Sequence, residues 1–147
     1  MLLNLGPHER AAEANATCAA QFKPQVGDYM ITDFSPRIAP FQINTHVGYD
    51  YLVKLENIEN PFLSLMFYVA GGVPFETRVP VGSYVLKYVA GDKWCGPNKL
   101  FGNQSLEKGR RILVFDETLE GIHWNSVTLY PVPNGNFATE TLPISQF

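Results

Sequence analysis

From Asp28 onward, apolar residues recur with period two in short runs, and each run is cut by Gly, Pro or Asn. Successive side chains of a strand point to opposite faces, so this alternation marks half-buried strands rather than helices. Tyr49 to Ile58 puts Tyr49, Tyr51, Val53 and Leu55 on one face and Asp50, Lys54 and Glu56 on the other, with Leu52 breaking the polar side. Leu63 to Val69 is apolar on both faces, the pattern of a central strand. Phe75, Thr77 and Val79 alternate with Glu76 and Arg78 and read as an edge strand. In Ser83 to Ala90, Tyr84, Leu86 and Tyr88 stand opposite Val85, Lys87 and Val89. Asp28–Thr32, Phe41–Thr45, Ile112–Phe115, Ile122–Val132 and Phe137–Leu142 bring the set to about eight or nine short strands, the spacing of a β-sandwich or barrel. Asn134-Gly135 is the strongest hairpin signal, because a type I′ turn needs φ > 0 at both central residues. It should join Ile122–Val132 to Phe137–Leu142 as an antiparallel pair.

One segment departs from this pattern. Pro7 suits a first helical turn, and Ala11, Ala14, Cys18 and Phe22 lie three to four residues apart, so Pro7–Phe22 predicts a short N-terminal helix with these four on one face. Residues 1–46 are expected to form this helix and an extension packed on a β-sandwich domain, 47–147. A chain of 147 residues suits one domain and buries about two-thirds of its unfolded surface. Met1 to Gly6 is apolar but lacks the basic flank and length of a signal peptide. Either the chain works in the cytoplasm, or a leader or anchor has been removed. No apolar run approaches the length of a membrane span. With 11 basic and 14 acidic residues and a net charge of −3, nucleic acid is not the expected partner.

The two cysteines, Cys18 and Cys95, fit no metal-binding spacing. They are either two free thiols or one long-range disulfide, which would imply an oxidising compartment. Docking of the helix on the loop around Trp94 would bring the two sulfurs together, with Cα atoms within about 7 Å if bonded. As a thiol, Cys95 could act as a nucleophile, with His8, His46 or His123 as base and Asp116 or Glu117 orienting it. The three histidines are isolated, so no metal site is expected. Gly91 to Gly96 has the glycines of a phosphate loop without the following Lys and Ser/Thr, and no cofactor is implied. The long segment Gly91–Arg111 carries Lys93, Lys99, Lys108, Arg110 and Arg111 with Trp94 and Phe101. Exposed aromatic and basic residues mark recognition surfaces, which makes Trp94, Phe101, Lys93, Lys99, Arg110 and Trp124 the candidate binding residues.

The run Val79-Pro80-Val81-Gly82-Ser83-Tyr84-Val85-Leu86 resembles the strand, P-x-G-x-Y turn and strand of prealbumin-like (transthyretin-like) β-sandwich modules. More widely, Tyr51–Leu55, Val79–Tyr84, Ala90–Trp94, Leu100–Gly102 and Asn134–Phe137 together resemble an uncharacterised bacterial β domain that often follows a membrane anchor. Cys95 stands where that group has an aromatic. The resemblance implies an all-β, antiparallel β-sandwich of the prealbumin or immunoglobulin-like kind. With no catalytic constellation visible, it also implies a non-catalytic interaction module of the bacterial envelope, periplasmic or otherwise extracytoplasmic. Its partner is expected to be a protein, with a glycan as the second possibility, bound through the aromatic and basic loop 91–111. An immunity or adaptor protein is a variant of this reading; a small enzyme built on Cys95 is the alternative.

Overall fold

The computed structural model describes residues 18–102, 104, 106–130 and 138–147. In chain order the strands are β1 (Gly27–Ile31), β2 (Ala39–Thr45), β3 (Asp50–Asn57), β4 (Ser64–Val69), β5 (Phe75–Val79), β6 (Gly82–Gly91), β7 (Leu106–Gly109), β8 (Leu113–Phe115), β9 (Glu117–Thr118), β10 (Gly121–Ile122), β11 (Asn125–Leu129) and β12 (Thr139–Leu142). A single 3-10 turn, Ile144–Gln146, follows. The large sheet has the order β1-β4-β3-β6-β7-β12, and β8 pairs the first part of β6 on the edge where β7 pairs a later part. A small sheet, β11-β2-β5, faces it, and β9 and β10 form a separate two-stranded hairpin.

The period-two alternation sorts side chains between the layers. Tyr51, Val53 and Leu55 of β3, Leu65, Phe67 and Val69 of β4, and Tyr84, Leu86 and Tyr88 of β6 point inward. They meet Ala39, Phe41 and Ile43 of β2, Val79 of β5, and Val127 and Leu129 of β11 in one continuous buried core. The Pro80-x-Gly82-x-Tyr84 turn closes on itself, because the buried Tyr84 hydroxyl donates to the Pro80 carbonyl at 3.1 Å. Arg37 clasps the two sheets at one edge. Its guanidinium bonds both carboxylate oxygens of Asp28 on β1, at 2.6 and 3.0 Å, and the Arg78 carbonyl on β5 at 2.6 Å. A bidentate charged contact of this kind also blunts an otherwise open strand edge.

Three expectations change. No helix occupies Cys18–Phe22: these residues are irregular, and Phe22 is fully exposed. The rest of the expected helix, residues 7–17, lies outside the described residues. The physical reason is local: Gln21 gives its N–H to the Trp94 carbonyl at 2.8 Å, and Pro24 disfavours helical geometry in the residue before it. The Asn134-Gly135 turn lies outside the described residues, but the strands it was to join do not pair. β11 runs parallel to β2 in the small sheet, and β12 runs antiparallel to β7 in the large one. Finally, the long loop is interrupted by β7. Strands from before residue 47 enter both sheets: β1 is an edge of the large sheet and β2 is the centre of the small one.

Candidate functional site

The second face of the large sheet carries a smaller apolar cluster. Leu52, Tyr68, Val89 and Leu106 point outward there and are covered by Trp94 and Phe101. This explains why Leu52 interrupts the polar side of β3. Its three buried rings interlock, with centroids 5.4 Å apart for Trp94–Phe101, 5.6 Å for Tyr68–Trp94 and 6.2 Å for Tyr68–Phe101. Trp94 is 4% exposed and Phe101 6%. The covering loop is tightly wound: Cys95 N–H bonds the Leu100 carbonyl at 2.6 Å and Leu100 N–H bonds the Gly96 carbonyl at 2.7 Å. Leu100 takes a left-handed φ of 53°, a costly conformation for a branched residue. Gly91 lies so close beneath Phe101 that a Cβ there would stand 2.3 Å from the Phe101 Cβ.

A disulfide staples this cover to the N-terminal segment. Cys18 and Cys95 are bonded, with Cα atoms 5.7 Å apart. Close by in sequence, Lys23 reaches Asp50 at 3.0 Å, and Asp50 accepts the Tyr68 hydroxyl at 2.6 Å and the Gly71 N–H at 3.3 Å. Burial alone would raise the Asp50 carboxyl, but the Tyr68 hydroxyl, the Lys23 ammonium and the Gly71 N–H together hold it below its ordinary value. Burial, and then the Asp50 carboxylate, push the Tyr68 hydroxyl strongly upward.

The six candidate binding residues therefore do not share one surface. Trp94 and Phe101 are core side chains, because the apolar outer face of the sheet needs them as its cover. Lys93 is half-buried, and Lys99 is exposed on the same loop. Arg110 is exposed at the end of β7, where its Nε donates to the Thr139 carbonyl at 2.9 Å and braces β12. Trp124 lies in the other layer, at the head of β11. The Cys95 nucleophile is also corrected: its sulfur is committed to Cys18, so no thiolate exists while the bond is intact. The structure does bring His123 and Asp116 together, Nδ1 to Oδ1 at 2.6 Å, flanking the small β9-β10 hairpin and without Cys95. His46 packs its ring against Tyr130, 5.7 Å between centroids, and His8 lies outside the described residues. Among the described residues no group of three His, Cys, Asp or Glu is placed to hold a metal ion.

The open site is on the outer face of the small sheet. Pro40, Gln42, Glu76, Thr77, Arg78 and Trp124 line a groove of about 460 Å³ there. Register explains the grouping. In β2 the inward residues are Ala39, Phe41 and Ile43, so Pro40, Gln42 and Asn44 face out. Gln42 pairs with Glu76 on one side and Ser126 on the other, and Pro40 pairs with Arg78. Continuing the parallel register by one residue puts Trp124 beside Pro40. Trp124 is 62% exposed. Gln42 donates to Asn44 Oδ1 at 3.4 Å, and Asn44 to Ser126 Oγ at 3.3 Å, a weak amide and hydroxyl ladder along the floor. Sequence reasoning picked out Trp124 but not its neighbours. The alternation of Glu76 and Arg78 was visible; that β2 sits between β5 and β11 was not.

These features define a two-layered β-sandwich whose second face is closed by a disulfide-stapled loop and whose small sheet presents an open aromatic and polar groove. No protein family, curated protein or solved structure matches the chain. Among the described residues, no helix is long and apolar enough to cross a membrane.

Proposed function

We propose that this chain is a non-catalytic binding module of an extracytoplasmic compartment, and that it binds through the outer face of its small sheet. The observation that carries the proposal is Trp124, a large aromatic exposed at the rim of a groove one residue ahead of β11. Tryptophan is enriched among the residues that carry binding energy at recognition surfaces. The Cys18–Cys95 bond supports the compartment, since structural disulfides persist where the surroundings are oxidising. The bacterial envelope and the prealbumin-like kind of sandwich belong to the same proposal, supported by the Pro80–Tyr84 turn. The binding surface moves from loop 91–111 to the β11-β2-β5 face, because the loop's aromatics are spent on packing.

The test is co-sedimentation of the purified, oxidised protein with cell-envelope material from the source organism. The wild type should be retained and the Gln42→Ala/Trp124→Ala variant released, with the variant still folded because both side chains sit on the solvent face and only one weak hydrogen bond is lost. Equal retention of the two proteins, or of neither, overturns the proposal.

A further inference from the structure

We infer that the ligand of this groove is a neutral glycan, bound with one pyranose ring stacked on Trp124. The inference rests on the binding face proposed above and adds the ligand's chemistry.

Size comes first. A stable protein interface buries at least about 1,000 Å² around an apolar centre. The groove of about 460 Å³ is instead in the range of small-ligand sites. Among the described residues its only apolar side chains that face solvent are Trp124 and Pro40, which is too little for a protein hot spot and enough for one sugar ring. The face of an aromatic ring is electronegative, so it attracts the weakly positive C–H groups on one side of a pyranose.

Charge comes next. Arg78 and Glu76 are the two charged residues of the lining, and they cancel. A phosphate or a carboxylated ligand would gain from Arg78 what it loses to Glu76, so the face selects an uncharged molecule. One Arg78 N–H is used on the Ile38 carbonyl at 3.0 Å, leaving most of the five guanidinium donors for a ligand. The Glu76 carboxylate has no partner among the described residues. Gln42 supplies an amide between them. Planar groups of this kind bond paired hydroxyls through two parallel contacts, and vicinal hydroxyls are what a sugar offers.

The probes are cellopentaose, xylopentaose, mannopentaose and chitopentaose, titrated into the full oxidised chain and its variants by calorimetry, with tryptophan emission followed alongside in the wild type and Glu76→Gln. Trp94 is buried in the other cluster and its emission stays constant, so a blue shift reports Trp124 entering a drier site. At least one probe should bind saturably. Trp124→Ala should weaken that binding about tenfold or more, Trp124→Phe should retain most of it, and Glu76→Gln should weaken it by about threefold to tenfold, as expected when a neutral amide oxygen replaces the charged acceptor of one hydrogen bond. No binding by any probe at about 10 mM, weaker than even minimal stacking would allow, overturns the inference. So does binding that survives Trp124→Ala. If the probes fail while envelope retention still depends on Trp124, the ligand is a protein and only the glycan is withdrawn; if both fail, the binding face is withdrawn too.

Discussion

The large sheet is covered on both faces, but by different means. Its inner face meets a second sheet, so cover and covered surface are both held by ladder hydrogen bonds that run through the whole element. Its outer face meets a loop. There the backbone bonds are few and local, and order comes from a trio of interlocked rings, an ion pair and a disulfide. Each ordered residue costs about 1–2 kcal/mol of backbone entropy, which a ladder offsets residue by residue and a loop does not. An aromatic-rich loop on such a protein is therefore better read as a lid over an apolar sheet face than as a recognition surface. The recognition surface we propose lies where the cover is regular and its far side has nothing to bury.

Four experiments sharpen or break this contrast. The largest effect is expected from the inner core: Phe67→Ala should cost about 3–5 kcal/mol in denaturant unfolding, equally with and without reductant. A loss that appears only in reductant would mean that the staple, not the sheet pair, holds the inner layer. Next, Cys18→Ser with Cys95→Ser should cost about 2–4 kcal/mol, because the bond closes a span of 77 residues in the unfolded chain. Fluorescence should shift to the red as Trp94 meets water, while the inner core stays native. A native spectrum and an unchanged melt would show that the rings alone hold the lid.

Gly91→Ala should cost about 1–3 kcal/mol by overpacking against Phe101, and much less in a Phe101→Ala background. Strict additivity of the two changes would remove the close contact from the account. The smallest effect belongs to Asp50→Asn, about 1 kcal/mol at neutral pH, from weakened hydrogen bonds to Tyr68 and Lys23. Because the folded carboxyl is held below its ordinary pKa of 3.8, its contribution is complete above that value and is lost as pH falls below it. The wild type should thus lose stability on acidification more steeply than Asp50→Asn; parallel acid profiles would place the Asp50 clasp outside the energetics of the lid.

Much of the strand content was legible because alternation is a local signal. Leu63–Val69, apolar on both faces, is a strand flanked on both sides, and Phe75–Val79 is an edge. Leu52 was the clue to a second buried face, since an apolar residue on the polar side of β3 has to be covered by something. The N-terminal helix misled because Ala-rich spacing measures propensity alone, and from Cys18 to Phe22 the tether to Cys95 and the bond from Gln21 to Trp94 override it. The Asn134-Gly135 signal misled about strand pairing because a turn motif speaks only for its immediate neighbours.

By itself the sequence determined a predominantly β chain, most of its strands, the two faces of those around Tyr51, Thr77 and Leu86, and two cysteines able to meet. These follow from side-chain period and turn chemistry, which act over a few residues. Only the tertiary structure decided that β2 and β11 lie side by side, although the bonded Asn44 and Ser126 are 82 residues apart. It alone decided that Trp94 is a core residue while Trp124 faces water. Both tryptophans sit among charged and polar neighbours in the chain. What separates them is which sheet face each one lands on, and that is set by pairings between distant strands.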